Sequence, residues 1–211
     1  MSASILLPTG PGVGGFGPPV KLWTVDEYHQ LIERGVIMDG APIELIDGVL
    51  VYKDRGEAGV AMTYGPKHAY AIARLAELDG QLRKLGFHMR NQVPITIRPK
   101  HEPEPDGAIV RGLPADYRDH NPVPADCCLM IEVADSSLDS DRGAKQRIYA
   151  AAGIPTYWIV NVRNGTIEVY ERPDAQACEY RVRRDRLPGE TIDIALPTGA
   201  TIQVSVGEIV S

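Results

Sequence analysis

Residues 129–160 read LMIEVADSSLDSDRGAKQRIYAAAGIPTYWIV. Together with Cys127 and Cys128, the first six residues form a nearly continuous apolar run, Cys127–Ala134. That is the signature of a strand buried on both faces. A polar segment follows. Asp141 to Ala152 then reads as an amphipathic helix, stopped by Gly153 and Pro155. Residues 156–160, TYWIV, form a second buried strand. Strand, helix, strand over this length is a crossover joining two parallel strands of one sheet.

Two residues break the pattern. Glu132 interrupts the apolar run near its C-terminal end, and an ionised carboxylate buried without a partner is very costly. One reading is a salt bridge or an edge position. The other is a carboxylate aimed at the end of the sheet, where α/β proteins gather their ligands. Lys145 is the second. At 100° per residue it shares a face with Ile148, Tyr149 and Ala152, while Arg142, Gln146 and Arg147 fall outside. A lysine on the inward face, one turn into the helix, can reach back to the end of the preceding strand. Its plainer readings are a pair with Asp141 or a snorkelling stem.

Upstream, residues 102–110 read EPEPDGAIV. Asp106 stands where the chain enters a short strand at Ala108–Val110, which makes it a companion for Glu132. Two carboxylates converging on one point repel unless a cation or a shared proton holds them. A hard divalent ion, Mg²⁺ or Mn²⁺, is the simplest solution. Asp135, Ser136, Ser137, Asp139 and Asp141 read as a capping loop bordering that cleft.

Further out, the apolar residues Ile72, Leu75, Leu78, Leu82 and Leu85 mark one amphipathic helix over 66–85, ended by Gly86. Residues 87–98 are strand-like. IELIDGVLVYK, 43–53, reads as a hairpin turning at Asp47-Gly48. Thr24 and Glu27 have capping-box spacing for a short helix closed by Gly35. Asn164-Gly165 turns the strand at 156–160 into TIEVYE, and strands are expected near 179–183 and 191–194. Residues 1–20 are crowded with Gly and Pro and are expected to form a flexible arm of little weight in the fold, leaving 21–211 as a single domain.

The composition narrows the function. The chain has 211 residues, 44% apolar and 24% charged, with a net charge of −6. A protein that coats DNA through its phosphates is normally basic, so broad phosphate binding is disfavoured, though not metal-assisted catalysis. Three cysteines, two of them adjacent, suit neither a disulfide framework nor a zinc site. The apolar runs are too short for a membrane span and the N-terminus lacks a secretory pattern, so a cytoplasmic location and no membrane partner are expected.

PD, then a carboxylate near the end of a buried strand, then a lysine, resembles the PD-(D/E)XK nuclease superfamily. IELIDGVLV, PEPDGAIV, the stretch from Leu129 to Val160 and IEVY resemble its putative restriction endonuclease family, over about residues 22–172. The implied fold is α/β (α+β): a PD-(D/E)XK nuclease-like core, a mixed β-sheet flanked by helices, with added antiparallel hairpins. The implied activity is a metal-dependent endonuclease hydrolysing DNA, with Mg²⁺ or Mn²⁺ as cofactor, DNA as partner and a homo-oligomer, a dimer, as assembly. The superfamily lysine stands two residues after the acid, where this chain has Ala134. Lys145 fits the variant in which that lysine has migrated to the following helix.

The resemblance carries roles to single residues. Asp106 and Glu132 would hold the metal, with the backbone carbonyl of Val133 as a further ligand. Lys145 would position the attacking water or stabilise developing charge. Glu44 is either an outer metal ligand or an anchor of its hairpin. His68, at the start of the long helix, either contacts the scissile phosphate or caps the helix. The competing reading is a nuclease-fold binding or regulatory protein with weak or lost catalysis, and a third is a phosphodiesterase acting on a small substrate.

Overall fold

The computed structural model describes residues 20–53, 65–135 and 137–210. The expected arm at 1–20 therefore lies, but for Val20, outside the described residues, as does Ser136. The centre of the fold is a six-stranded sheet. Its strands are β3 (Phe87–Arg90), β4 (Gly107–Arg111), β5 (Cys127–Ala134), β6 (Thr156–Asn161), β7 (Thr166–Asp174) and β8 (Glu179–Arg186). They lie side by side in chain order. Only β5 and β6 run parallel; the other neighbours are antiparallel. The mixed sheet expected from the crossover is thus present.

All eight residues of β5 are buried. Side chains alternate across a strand, so the run feeds two cores at once. Leu129, Ile131 and Val133 enter one, with Trp158 and Val160 of β6. Met130 and Ala134 enter the other, with Ile148, Tyr149, Tyr157 and Ile159. Truncating a fully buried residue such as Ile131 to Ala would cost roughly 2–5 kcal/mol. The two cysteines face opposite cores, as their adjacency predicts. The register slips there: Ile109 pairs with Leu129 but Val110 pairs with Cys127, leaving Cys128 as the bulged residue.

The crossover is one helix in three parts: α4 (Leu138–Ser140), a π turn (Asp141–Lys145) and α5 (Gln146–Ala151). A regular wheel does not anticipate the widened turn. The long helix expected over 66–85 is instead α2 (Pro66–Ala76) and α3 (Asp79–Arg83). Between them the bonds tighten to i→i+3, from Leu78 N–H to Leu75 and from Gln81 N–H to Leu78. Asp79 turns its carboxylate to the Met89 N–H of β3, and Gly80, a poor helix former, follows. The strand expected to reach 98 stops at Arg90, because Gln92 adopts φ 54° and turns the chain.

Helix α1 (Val25–Glu33) carries the expected capping box between Thr24 and Glu27. The hairpin of β1 (Ile43–Ile46) and β2 (Val49–Tyr52) turns at Asp47 (φ 53°) and Gly48 (φ 76°), the two left-handed positions of a tight hairpin turn. It docks on the chain leading to β4, where the Glu102 N–H donates to the Leu45 carbonyl at 2.7 Å. A second hairpin, β9 (Thr191–Ala195) with β10 (Thr201–Ser205), lays Ile192, Ile194, Ile202 and Val204 on the same core as Leu129. A last short helix, α6 (Val206–Val210), follows; β10 and α6 were not legible in the sequence.

Candidate active site

Gly107 pairs with Ile131 and Ala108 with Met130, so one further step puts Asp106 opposite Glu132. Opposed residues of an antiparallel pair share a face. That face also carries Met130 and Ala134 and looks toward the crossover helix. Asp106 stands just before β4, where the ladder ends. Its Oδ2 accepts the Val133 N–H at 2.8 Å and lies 3.3 Å from His68 Nε2. The Gln92 amide approaches Oδ1 at 3.4 Å. Burial alone would raise the Asp106 pKa, but His68, the Val133 N–H and Lys145 outweigh it and hold the group below the ordinary carboxylate range.

Glu132 is 3% exposed. The Tyr149 hydroxyl donates to its Oε1 at 2.9 Å, and Lys145 Nζ lies 3.0 Å from Oε2. Lys145 is therefore turned inward, as its helix position predicts. It also faces Glu44 Oε1 at 3.6 Å, while Glu44 Oε2 accepts the Glu104 N–H at 2.8 Å. Glu44 thus ties its hairpin to the approach of β4 and faces the site as well. His68 does not spend its ring on capping α2; Nε2 turns to Asp106.

Two residues of this group carry no catalytic or metal role in the sequence reading. Tyr149 falls on the Lys145 face in the sequence, with no polar role expected of it. Asp141 reads in the sequence as a capping residue of the loop bordering the cleft or as a partner of Lys145; it is 2% exposed. Ser137, rather than capping a helix, donates its hydroxyl to Asp141 Oδ2 at 2.6 Å. Burial, reinforced by the carboxylates of Asp106 and Glu44, pushes the Asp141 pKa up to about 6. Glu132 is pushed well up, by burial first and then by Asp141, Asp106 and Glu44. Lys145 is raised too: burial favours its neutral form, but Glu132, Glu44, Asp141 and Asp106 more than offset that. Burial raises the two carboxylates and opposes Lys145; beyond burial, four carboxylates gather around a single ammonium, which favours keeping the protons on Asp141, Glu132 and Lys145.

That surplus of negative charge bears on a metal. Among the described residues, no three His, Cys, Asp or Glu side chains are grouped to hold an ion. Magnesium does not require such a cage; one or two carboxylates, waters and substrate phosphate are its usual shell. Asp106 and Glu132 supply hard oxygen donors. The Val133 carbonyl projects to the same edge of β5 as its N–H, toward Asp106 and past the start of β4. A divalent cation would also offset the excess charge, so the donor set fits.

A family model described as "Uma2: Putative restriction endonuclease" matches residues 25–205. The chain belongs to the Uma2 family. No relative among curated proteins matches it. Its fold is similar to the crystal structure of a putative nuclease belonging to DUF820 from Anabaena variabilis ATCC 29413, with a TM-score of 0.62. The two are 15% identical over 90% of this chain and 97% of the other. At that identity the likeness speaks for the fold, which agrees with the PD-(D/E)XK-like core expected for this Uma2 chain. No helix among the described residues is long and apolar enough to cross a membrane.

Proposed function

We propose that this chain is a metal-dependent endonuclease that hydrolyses DNA phosphodiester bonds. The observation that carries the reading is the meeting of Asp106 and Glu132 on one face of adjacent strands, with Lys145 ion-paired to Glu132. Membership in a family of restriction-endonuclease-like proteins supports it.

Asp106, Glu132 and the Val133 carbonyl would hold Mg²⁺ or Mn²⁺. The bound ion supplies a water of lowered pKa and neutralises charge on the phosphate. The protein does the rest. Val133 N–H and His68 keep Asp106 ionised and aimed. Tyr149 fixes one oxygen of Glu132 by a hydrogen bond. Lys145 stays protonated among the carboxylates, and its ammonium can position the attacking water or meet charge as it develops on the phosphate. His68, in contact with Asp106, borders the place where a phosphate would sit.

Nicking of supercoiled plasmid by purified protein with Mg²⁺ or Mn²⁺, and its loss in EDTA, is the test. The second reading, a nuclease-fold binding protein, draws on the engagement of both Glu132 oxygens within the chain and on the net charge of −6. Failure of the wild type to cut any DNA substrate, with binding retained, would favour that reading. Activity confined to small phosphodiesters would favour the third.

A further inference from the structure

The π turn Asp141–Lys145 brings Asp141 and Lys145 into the site. A widened turn forfeits regular i→i+4 bonds and persists where its surroundings hold it. Three tethers do so. Lys145 is paired with Glu132 and Glu44. The Asp141 carbonyl, which already accepts the Gln146 N–H, also receives the Tyr157 hydroxyl at 3.1 Å. The third lies away from the site. Arg142, expected to point to solvent, reaches β7 and grips Glu168, with Nε 3.1 Å from Oε2 and Nη2 on Oε1.

Glu168 is 2% exposed. Its carboxylate also accepts the Tyr170 hydroxyl at 2.7 Å and lies 3.4 Å from Arg183 Nη2. A carboxylate so occupied has little capacity left for a metal or substrate. What it has is a two-pronged hold on the residue three before Lys145. A fork of this kind fixes orientation as well as position. The extra residue of a π turn can otherwise migrate along a helix, and each step rotates the presented face by roughly 100°.

We infer that Glu168 and Arg142 are positioning residues, which hold the π turn in the register that aims the Lys145 ammonium at Glu132. Its kinetic part rests on the nuclease reading of the same site; its structural part does not. Lysine-selective ¹⁵N NMR reads the structural part. The Lys145 Nζ resonance is assigned by its loss in Lys145→Met. Lys53, buried and paired with Glu104, is the internal control. In Glu168→Gln the Lys145 resonance should shift or broaden while that of Lys53 stays. Plasmid cleavage should slow in kcat by about tenfold or more, with the metal concentration at half-activity unmoved. Arg142→Lys keeps the charge but loses the fork, so it should behave like Glu168→Gln, and it serves if that variant does not fold. An unmoved Lys145 resonance overturns the proposal, as does cleavage within twofold of wild type despite a moved resonance. Should wild type fail to cut, the nuclease reading falls and the resonance alone decides the clamp.

Discussion

Two buried glutamates show how differently this chain treats the same side chain. Glu102 is 4% exposed and meets three donors: His29 Nε2 at 2.8 Å, Thr96 Oγ1 at 3.0 Å and Asn121 Nδ2 at 3.1 Å. It joins α1, the loop before β4 and the loop after it. Glu132 is equally buried, but it shares one ammonium with Glu44 and is pushed upward by the carboxylates of Asp141, Asp106 and Glu44. The first is a saturated acceptor and serves the fold. The second sits in a surplus of like charge. Burial of a carboxylate is therefore a weak functional signal, and an unbalanced cluster is a stronger one.

The comparison breaks most visibly in activity. If the chain cuts DNA, Asp106→Ala or Glu132→Ala should slow plasmid cleavage by roughly a thousandfold, since each deletes a ligand and its charge. Glu102→Ala should leave cleavage per folded molecule near wild type. Equal losses in the two regions would erase the distinction.

Lys145→Met is next. It should slow cleavage by about a hundredfold with a smaller effect on metal dependence, as expected of a group acting on water or the transition state. A buried lysine is ordinarily a poor core residue, which by itself suggests little loss of stability. Its position among four carboxylates reverses that expectation: at pH 8 the variant should lose about 3 kcal/mol, because it leaves buried charge unpaired. Urea melts at pH 8 measure this, and an unchanged midpoint would show that the surplus charge is harmless.

Glu102→Ala should cost roughly 2–4 kcal/mol, from the buried Thr96 hydroxyl and the half-buried Asn121 amide it leaves without an acceptor. Denaturant midpoints at pH 7 check it, and a neutral result would remove Glu102 as a structural hub.

The smallest effect concerns Asp141. Its pKa of about 6 in the folded protein lies above the ordinary 3.8, so the folded state keeps a proton that the unfolded chain has released between those values. Stability should therefore fall as pH climbs through that window, by up to about 3 kcal/mol, and stay lower above it. Asp141→Asn should remove this slope and be more stable than wild type at pH 8 by about 1–3 kcal/mol. The difference between the two stability curves from pH 4 to 8 reads Asp141 together with its coupling to Glu132, because the opposite slope from Asp106 is common to both. A flat difference curve would place Asp141 outside the charged cluster.

Much of this was legible in the sequence. Apolar periodicity marked β5, β6 and the helix between them, because burial on two faces demands an unbroken apolar run. A carboxylate in such a run and a lysine on an inward helix face stood out for the same reason. Asp47-Gly48 marked the hairpin, because only that chemistry suits two left-handed positions in succession. Other features depended on partners distant in the chain. Asp141 looked like a cap until the π turn carried it inward, and Arg142 looked solvated until β7 brought Glu168 within reach. The break after Ala76 followed from Asp79 meeting Met89. The sequence by itself determined which residues must be buried and which of those carried charge, since those are local properties of composition and period. Only the tertiary structure decided which charges share a space, because electrostatic balance is a sum over neighbours that the chain brings together from residues 44, 68, 106, 132, 141 and 145.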